Sequence, residues 1–460
     1  MDEYFHSVRL IANRCKGCVS CTKRCPTEAI RIRGGKAHII ESRCIDCGEC
    51  IRHCSSHAKT AITDSFVDLE RYKINIALPA PTLYAQFPLE FSIETILGGL
   101  LKLGFDEVCE VARGAELVSL IIKDYLNRKD IKRPAISTAC PAVVRLIQVK
   151  FPELIENLVT IDAPVEVAAR VARAECTRKY HLNADEVGVW FITPCPAKMT
   201  ACKQPLGCEK SNITGAIAIS QIYGDLLKAL PHADKKTNCN LASWVGIGWA
   251  IAGGETSAVE VDNKLVVHEI NNVSNVLEQV AIGKLNDIDY IETLACAGGC
   301  IGGPLTVENR FVAETRMKQR MQKIKDEYQV LGKRPLMEYQ KEKLGIKEWQ
   351  AIEPRPIMLL DEDILKAMNK VELIEKTLES LPGLDCGSCG SPNCRALAED
   401  IAQGRATETD CLFKLRERVR DLAQEMMGLA EKLPPPLDKD SEESEESEES
   451  GKKEECEVCG

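Results

Sequence analysis

Eight cysteines near the start of the sequence form two runs with identical spacing. The runs are Cys15-x2-Cys18-x2-Cys21-x3-Cys25 and Cys44-x2-Cys47-x2-Cys50-x3-Cys54. The whole sequence of 460 residues carries 23 cysteines. Spacing this regular predicts that the thiolates bind metal, since a reducing compartment keeps cysteines from forming disulfides. Gaps of two residues let one loop present three sulfur ligands to the same metal cluster.

The doubled spacing is that of bacterial ferredoxins, in which the fourth cysteine of each run binds the cluster of the other run. It predicts two [4Fe–4S] clusters with crossed ligands. The expected ligands are Cys15, Cys18, Cys21 and Cys54 for cluster one, and Cys44, Cys47, Cys50 and Cys25 for cluster two. Zinc sites are the alternative, but a zinc ion takes four ligands and does not require the repeat.

A third group of cysteines has the spacing Cys386-x2-Cys389-x4-Cys394-x16-Cys411. Gly387 and Gly390 permit the tight backbone that a cubane cluster requires. The segment resembles a small iron–sulfur domain found in several anaerobic redox subunits, so we expect a further [4Fe–4S] cluster here. A zinc ribbon is the competing interpretation.

Between these groups, β-branched runs alternate with helical stretches, which predicts a mostly parallel sheet. The predicted strands are 73–81, 133–138, 187–194 and 287–295, and the predicted helices are 142–158, 164–175 and 218–230. Cys140, Cys195 and the pair Cys296 and Cys300 each follow one of these strands. Taken alone, Cys140 is typical of a buried packing residue. Because sites in such sheets form at the carboxyl ends of strands, we expect the four thiols to converge on a cubane.

Three motifs in these loops occur in a fixed order: STACPAVV at 137–144, TPCPAKMTA at 193–201 and ETLACAGGCIGG at 292–303. They resemble the three active-site loops of the [FeFe]-hydrogenase family. The resemblance implies two α/β lobes around an H-cluster. That cofactor is a [4Fe–4S] cubane joined through one cysteine to a diiron unit with carbonyl, cyanide and azadithiolate ligands.

The resemblance also implies roles for individual residues. The positions that match the cubane ligands are Cys140, Cys195, Cys296 and Cys300. Cys300 matches the thiolate that bridges to the diiron unit. Lys198 matches the lysine that donates to an iron-bound cyanide, an anion that needs a charged donor; elsewhere it would be interpreted as a solvated surface lysine. A looser match to the loop beside the diiron unit is formed by Ala80, Pro81 and Thr82.

Several positions depart from the catalytic members of the family. Ala139 stands where they carry the cysteine that passes protons to the diiron unit, and a methyl group can neither donate nor accept a proton. The other departures are Ala201 for a glutamate, Ile121 and Ile122 for proton-path acids with Asp124 nearby, Leu294 for a methionine, and Pro304 within a glycine run. Retained ligands and a lost proton donor predict intact metal binding and slow turnover, as in the sensory branches of the family.

Composition limits the other classes of function. Only 5% of the residues are aromatic, which disfavours an extended base-stacking surface. The net charge is −10, and residues 438–460 supply most of it, with eleven acidic and three basic residues. The nearly neutral remainder favours neither nucleic acid nor anionic lipid as a partner. Because the sequence lacks a signal-like segment and a run of 18 apolar residues, we expect a cytoplasmic protein without a membrane span.

These patterns, together with the resemblance, predict an α/β multidomain fold. The expected parts are a bacterial ferredoxin-like N-terminal domain (1–66), a two-lobed α/β hydrogenase-like core (67–310), a charged helical connector (311–370), a small helical C-terminal iron–sulfur domain with an amphipathic helix (371–431), and a disordered acidic tail (432–460). The apolar stripe of the helix after Cys411 either packs on its own domain or forms a seam with a signalling partner or a second copy.

The cysteine spacing predicts an iron–sulfur redox protein, and the resemblance implies that it acts on H2 and protons as a low-turnover hydrogenase, or that it senses H2 or redox state. Ferredoxin or subunits of a redox complex are the expected electron partners. The alternative is an electron-transfer or scaffold subunit that never receives the diiron unit. Seven cysteines have no ligand role: Cys109, Cys176, Cys202, Cys208, Cys239, Cys456 and Cys459. Among them, Cys202 and Cys208 are candidate redox-active thiols.

Overall fold

The computed structural model describes residues 5–234, 241–330, 349–355, 360–361 and 363–432. Residues 331–348 of the predicted connector, residues 433–460 of the predicted tail, and Cys239, Cys456 and Cys459 lie outside the described residues. The chain forms two units that divide after Thr407, and each is described by itself. The domain boundaries drawn from the sequence stay a prediction.

The strands in the described residues are short, and the helices are mostly longer. The strands are β1 (Val8–Leu10), β2 (Ile30–Arg33), β3 (Lys36–Ile39), β4 (Lys59–Ala61), β5 (Ile74–Pro79), β6 (Glu107–Val108), β7 (Ala135–Ile136), β8 (Val187–Thr193), β9 (Gly215–Ala218), β10 (Lys264–His268) and β11 (Tyr290–Leu294). The helices are α1 (Ser20–Lys23), α2 (Glu49–Arg52), α3 (Ile93–Lys102), α4 (Val111–Leu126), α5 (Pro141–Lys150), α6 (Pro164–Tyr180), α7 (Pro196–Lys203), α8 (Ile219–Ala229), α9 (Trp244–Gly248), α10 (Gly254–Val259), α11 (Ile270–Ala281), α12 (Arg310–Val330), α13 (Ile364–Ser380), α14 (Cys394–Ala402) and α15 (Leu412–Ala430).

The N-terminal lobe has the arrangement of a two-cluster ferredoxin. Strands β1 and β4 pair antiparallel, as do β2 and β3. The one-turn helices α1 and α2 each begin within a cysteine run and carry one of its thiols, Cys21 and Cys50. These two thiols are buried in the small core of the lobe, together with Val8 and Ile30.

Two parallel sheets form the centre of the chain. One has the strand order β6-β5-β8-β9 and the other β10-β11-β7. Strand β8 is buried at every residue, as expected for a parallel strand that is covered on both faces. Strands β7, β8 and β11 end at Ile136, Thr193 and Leu294, directly before the loops that carry the central cysteines.

One predicted helix was too long. The helix expected over 142–158 ends at Lys150, and a 3-10 helix follows over Pro152–Asn157. Proline has no backbone N–H, and it disfavours helical geometry in the residue before it. Phe151 accordingly has φ −133° and ψ 55°. The strand expected over 133–138 also contracts to the two residues of β7.

A small helical lobe is built from α13 and α14 and the cysteine-rich loop between them. It packs on the β2–β3 hairpin, where the Asp400 carboxylate accepts from Arg31 Nε at 2.5 Å and from Arg33 Nη2 at 3.0 Å. The side chains of Arg31 and Asp400 are only 5% and 2% exposed. The backbone N–H of Ile32 also donates to the carbonyl of Gly390 at 2.8 Å. A buried, paired charge of this kind holds the lobe in one position, since losing either partner would leave the other charge uncompensated.

The predicted fold class is confirmed, with a ferredoxin-like N-terminal part, a two-sheet α/β core and a small helical C-terminal part. Among the described residues, no helix is both long and apolar enough to cross a membrane.

Candidate iron–sulfur and active site

The ferredoxin-like lobe brings its two cysteine runs together in the crossed arrangement. Cys25 lines one cavity with the three thiols of the second run, Cys44, Cys47 and Cys50. Burial raises the pKa values of Cys44 and Cys47 well above the usual range, and nearby thiols, including Cys25, raise them further. These thiols therefore stay protonated until a metal replaces the protons.

The remaining thiols of this lobe are grouped near Cys21. Burial raises the pKa of Cys21, and the neighbouring thiols of Cys18 and Cys54 add to the effect. Cys15 packs at the edge of the same small core. The geometry thus groups the eight cysteines as the sequence predicted, while their role as ligands stays a prediction.

Two of the central cysteines stand at the same kind of structural position. Cys140 follows β7 and is the N-cap of α5, and Cys195 follows β8 and is the N-cap of α7. In each case the next residue is a proline at the first helical position, which lacks an N–H and has a preset φ. Both cysteines therefore stand at the junction between a buried strand and the helix that follows it.

The third loop completes the group with Cys296 and Cys300, which follow β11. The pKa of Cys300 is raised to about 12 by burial, with further increases from Cys296 and Cys140. Burial also raises the pKa of Cys195, and the same three thiols contribute to that shift. Four thiols from three remote loops therefore lie within electrostatic reach of one another, as expected for a cubane site.

The third loop turns tightly at two glycines. Gly299 has φ +98°, and a Cβ there would lie 2.7 Å from the backbone N of Ala252. A Cβ on Gly303 would lie 2.5 Å from the carbonyl oxygen of Pro194. Only glycine fits these positions, because the loop runs against the backbone of two other segments.

A cavity adjoins the four thiols on the side of Cys300. Its lining comprises Ala80, Pro81, Thr82, Val111, Ala115, Ala139, Pro164, Val165, Phe191, Pro194, Lys198, Trp249, Ala250, Glu255, Glu292, Leu294 and Cys300. The loop of Ala80, Pro81 and Thr82, which the resemblance matches to the loop beside the diiron unit, is thus part of the wall. The Thr82 hydroxyl is buried and has no hydrogen-bond partner among the described residues. A bound group that accepts hydrogen bonds would satisfy it.

Lys198 lies near the N-terminal end of α7, and its side chain is half-buried against this cavity. Its ammonium donates to the carbonyl oxygen of Ala139 at 3.0 Å. It also lowers the pKa of Cys300, in opposition to burial. The lysine is therefore not a solvated surface residue, and its charge faces the thiols.

Two buried glutamates, which the sequence analysis missed, form part of the same wall. Glu255 accepts from Ser137 Oγ at 2.8 Å and from the Tyr290 hydroxyl at 2.5 Å. Glu292 accepts from the backbone N–H groups of Gly253 and Thr256 at 2.9 and 2.8 Å. Glu292 stands within a quoted motif, yet an acid inside a strand gives no signal of its own. Glu255 lies outside every motif.

The environment of this pair favours the protonated form. Burial raises the pKa of Glu255 to about 8, and the charge of Glu292 contributes to the shift. Burial also raises the pKa of Glu292, although its two backbone donors oppose the effect. The cavity therefore has a carboxylic acid in its wall, while the neighbouring Ala139 contributes only a methyl group.

The other departures from the family occupy different surroundings. Ile121 and Ile122 are core residues, and Asp124 is exposed to solvent, so this segment of α4 carries no buried acid. Ala201 lines a neighbouring, mostly apolar cavity. Pro304 lies against the ferredoxin-like lobe, where a Cβ on Gly48 would meet its ring at 2.4 Å.

Arg52 of the ferredoxin-like lobe reaches the central thiols, a contact that no sequence pattern indicated. Its guanidinium bonds Glu49 Oε2 at 2.5 Å and the Gly302 carbonyl at 2.8 Å. It also lies beside Cys296, whose pKa it lowers against the effect of burial. The second cysteine run and the third active-site loop thus share one cation.

The C-terminal cysteines are divided between the two units. Cys386, Cys389 and Cys394 lie in the small helical lobe of the first unit, and Cys411 lies in the second unit. Lys23, from the first cysteine run, donates to the carbonyl of Asp385 beside this lobe's first cysteine.

The unassigned cysteines in the described part of the chain are mostly packing residues. Cys176 is buried in the core, and Cys109 packs against it. Burial raises the pKa of Cys202 to about 12 and that of Cys208 to about 11. Thiols with such pKa values react slowly at neutral pH, which argues against the redox role suggested for these two residues.

Comparison with known proteins agrees with this geometry. The model of the iron-only hydrogenase large subunit, C-terminal domain, matches residues 73–217 and 214–304, which is half of the chain. A 4Fe-4S dicluster domain matches residues 7–55, and a domain described as a putative Fe-S cluster matches 381–413.

Individual relatives are distant. The chain is 26% identical to the periplasmic [Fe] hydrogenase large subunit of Nitratidesulfovibrio vulgaris, over 65% of this chain and 86% of that protein. It is 22% identical to the NADP-reducing hydrogenase subunit HndD of Solidesulfovibrio fructosivorans, over 44% of each chain. It is 23% identical to iron hydrogenase 1 of Clostridium pasteurianum, over 50% of this chain and 49% of that one. For the last two relatives, the match spans less than half of their length.

The [FeFe]-hydrogenase HydA1 of Chlamydomonas reinhardtii is one similar solved structure, with TM-score 0.45, 12% identity, and coverage of 64% of this chain and 98% of that chain. One component of the ion-translocating oxidoreductase complex of Thiobacillus denitrificans is 43% identical over 67 residues, which are 15% of this chain and 34% of that protein. The family model covers the loops that carry the four central cysteines and Lys198. The chain is therefore an iron–sulfur protein that belongs to the iron-only, or [FeFe], hydrogenase large-subunit family.

Proposed function

We propose that the chain binds an H-cluster and acts either as a low-turnover hydrogenase or as a sensor of H2 or redox state. The observation that carries the proposal is the convergence of Cys140, Cys195, Cys296 and Cys300 beside a cavity that Lys198 also lines. Two [4Fe–4S] clusters in the ferredoxin-like lobe and one at the C-terminal cysteines complete the proposed cofactor set.

The residues of the cavity fit the diiron part of the H-cluster. That unit, when bound, supplies the interconversion of H2 with protons and electrons. Cys300 belongs to the group of four thiols and also lines the cavity, which supports its proposed role as the link between the two parts. The Lys198 ammonium and the partnerless Thr82 hydroxyl are donors for anionic ligands such as cyanide. Both donors are held by the protein before anything binds, which reduces the cost of ordering them.

Because the methyl group of Ala139 cannot carry a proton, another residue must transfer protons to the site. Glu255 is an acid in the wall that stays protonated near neutral pH, because burial and the charge of Glu292 raise its pKa to about 8. Ser137 and Tyr290 hold its carboxyl group in place. We infer that Glu255 and Glu292 hold the proton that the catalytic members of the family hold on a cysteine. A carboxyl group anchored in the wall is less mobile than a thiol, which suits slow turnover.

Electrons would follow the contacts between lobes. Arg52 and Gly48 join the second cysteine run to the active-site loop, so cluster two is the proposed donor to the central cubane. Lys23 lies in the first run and contacts the C-terminal lobe at Asp385. Cluster one would therefore exchange electrons with the C-terminal cluster, and through it with ferredoxin or with subunits of a redox complex.

We also propose a cytoplasmic location, because a reducing compartment keeps thiols free until they bind metal. One relative is named as periplasmic. Cell fractionation with an antibody to this chain distinguishes the two locations.

A second candidate function is that of an electron-transfer or scaffold subunit without the diiron unit. It is favoured by the 43% identity to the component of an ion-translocating oxidoreductase complex over 67 residues. In this case the central thiols would hold a cubane and the adjoining cavity would hold no diiron unit.

Iron analysis and infrared spectroscopy separate these candidates. Protein matured anaerobically with a diiron source should bind about 18 iron atoms per chain and show carbonyl and cyanide bands, whereas four cubanes alone account for about 16. Absence of those bands under every maturation condition would leave only the electron-transfer function.

A further inference from the structure

Helix α15, in the second unit, carries an apolar stripe with a strict heptad spacing. The stripe consists of Leu412, Leu415, Val419, Leu422, Met426 and Leu429. Its residues follow one another at alternating intervals of three and four along the whole helix. They are between 42% and 70% exposed. An average period of 3.5 residues is the signature of a two-stranded supercoil, whereas a helix that packs on a globular domain shows a wider stripe.

We propose that α15 pairs with α15 of a second copy of this chain to form an antiparallel coiled coil. In heptad terms, the a positions are Leu412, Val419 and Met426, and the d positions are Leu415, Leu422 and Leu429. An antiparallel pair centred between Arg420 and Asp421 places every a residue opposite a d residue of the second copy. The overlap then extends over the full helix.

Charge complementarity selects the antiparallel orientation. Arg418 and Glu425 are the charged residues at the g positions beside the seam. In the antiparallel pair, each Arg418 lies opposite Glu425 of the second copy, which gives two symmetric ion pairs. In a parallel pair, Arg418 would lie opposite Ala423 and gain no partner. The ion pairs described on this helix, Lys414–Glu417 and Arg420–Asp421, lie away from the seam.

The sequence that follows the helix favours the same orientation. Residues 433–460 contain eleven acidic and three basic residues. A parallel pair would bring two such segments out at the same end, where their like charges repel. An antiparallel pair separates their starting points by about 28 Å, the length of a 19-residue helix. The short seam is at the lower limit of a specific interface, so we expect micromolar association.

Sedimentation equilibrium of the full chain, with its clusters intact and without oxygen, tests the proposal over a range of concentrations. The wild type should form dimers, and the double variant Leu415→Glu/Leu422→Glu should associate at least 100-fold more weakly. The matched control is Met427→Glu, because Met427 is 66% exposed on the same helix but lies off the seam. A wild type that stays monomeric at every concentration, or a control that dissociates as readily as the double variant, would overturn the proposal.

A charge exchange tests the orientation without removing apolar surface. Arg418→Glu should weaken dimerisation about tenfold, because it turns two ion pairs into two repulsions. Arg418→Glu combined with Glu425→Arg should restore the affinity of the wild type. A dimer that is indifferent to Arg418→Glu, or whose affinity the second substitution fails to restore, contradicts the antiparallel pairing.

Discussion

The two sides of the central site differ in what they retain. On the cubane side, four thiols from three loops meet, and Arg52 supports them from another lobe. On the cavity side, Lys198 and the loop at 80–82 are present, but the position expected to transfer protons is Ala139. The acids in this wall, Glu255 and Glu292, come from α10 and β11 instead.

This difference means that cofactor binding and the rate of turnover depend on different residues of the site. Thiol ligands and a charged donor determine whether a cofactor stays bound, and they need not move during turnover. Proton transfer depends on one group at the correct position with a suitable pKa. A site that keeps the first set and changes the second is expected to bind its cofactor and to turn over slowly, which is what a sensor requires.

The largest effect is expected on the cubane side. Replacing Cys300 by serine should abolish retention of the diiron unit, because this thiol alone lines both the cavity and the thiol group. Carbonyl and cyanide bands should vanish from the infrared spectrum. Cys208→Ser is the matched control, since Cys208 lines a neighbouring cavity instead. Normal bands in Cys300→Ser would contradict the proposed link.

The next effect concerns the acids of the cavity side. Glu255→Gln keeps the size of the side chain but removes its exchangeable acid, so H2 evolution per diiron site should fall by about 100-fold. The infrared bands should persist, which distinguishes slow proton transfer from cofactor loss. An unchanged rate would show that protons reach the site by another route.

Glu110→Gln is the control for that variant and carries a prediction of its own. Glu110 is buried away from the cavity and accepts from the Tyr84 hydroxyl at 2.6 Å, and burial raises its pKa from 4.5 to about 7. Between these values the unfolded chain ionises while the folded chain does not, so the free energy of unfolding falls as pH rises. The fall should be smaller by roughly 3 kcal/mol in Glu110→Gln, with H2 evolution unaffected.

Denaturant unfolding of the two proteins between pH 5 and pH 8 measures this difference. Parallel pH profiles would mean that Glu110 ionises at the same pH in the folded and unfolded chains.

The smallest effect concerns Arg52. Replacing this arginine by glutamine removes a cation beside Cys296, and the more negative, reduced cubane loses more stabilisation than the oxidised one. The midpoint potential of the central cubane, the one beside Cys296, should fall by about 60 mV. This corresponds to a tenfold change in the ratio of reduced to oxidised cluster. A redox titration followed by electron paramagnetic resonance measures it in protein that carries only cubanes. Arg52→Lys should restore most of the potential, and a shift as large as that of Arg52→Gln would contradict a role for the charge.

The sequence predicted the cubane side better than the cavity side for a physical reason. Ligands at fixed spacing, and cysteines directly after buried strands, follow from local pattern. Arg52 and Glu255 act through contacts with residues remote in sequence, Gly302 and Tyr290, and no local period reports such pairs. The helix predicted over 142–158 was too long because a local pattern was misleading. Its apolar spacing continues past Pro152, but the proline ends the helix.

The rate of the Ala139→Cys variant tests whether proton delivery limits turnover at this site. Both proteins would be matured anaerobically, and the intensity of their infrared bands would give the number of diiron sites in each. We expect unchanged bands and a rise in H2 evolution per site of about 100-fold, because only the proton donor has been added. Equal rates per site in the two proteins would contradict the claim that proton delivery, and not cofactor binding, sets the activity of this site.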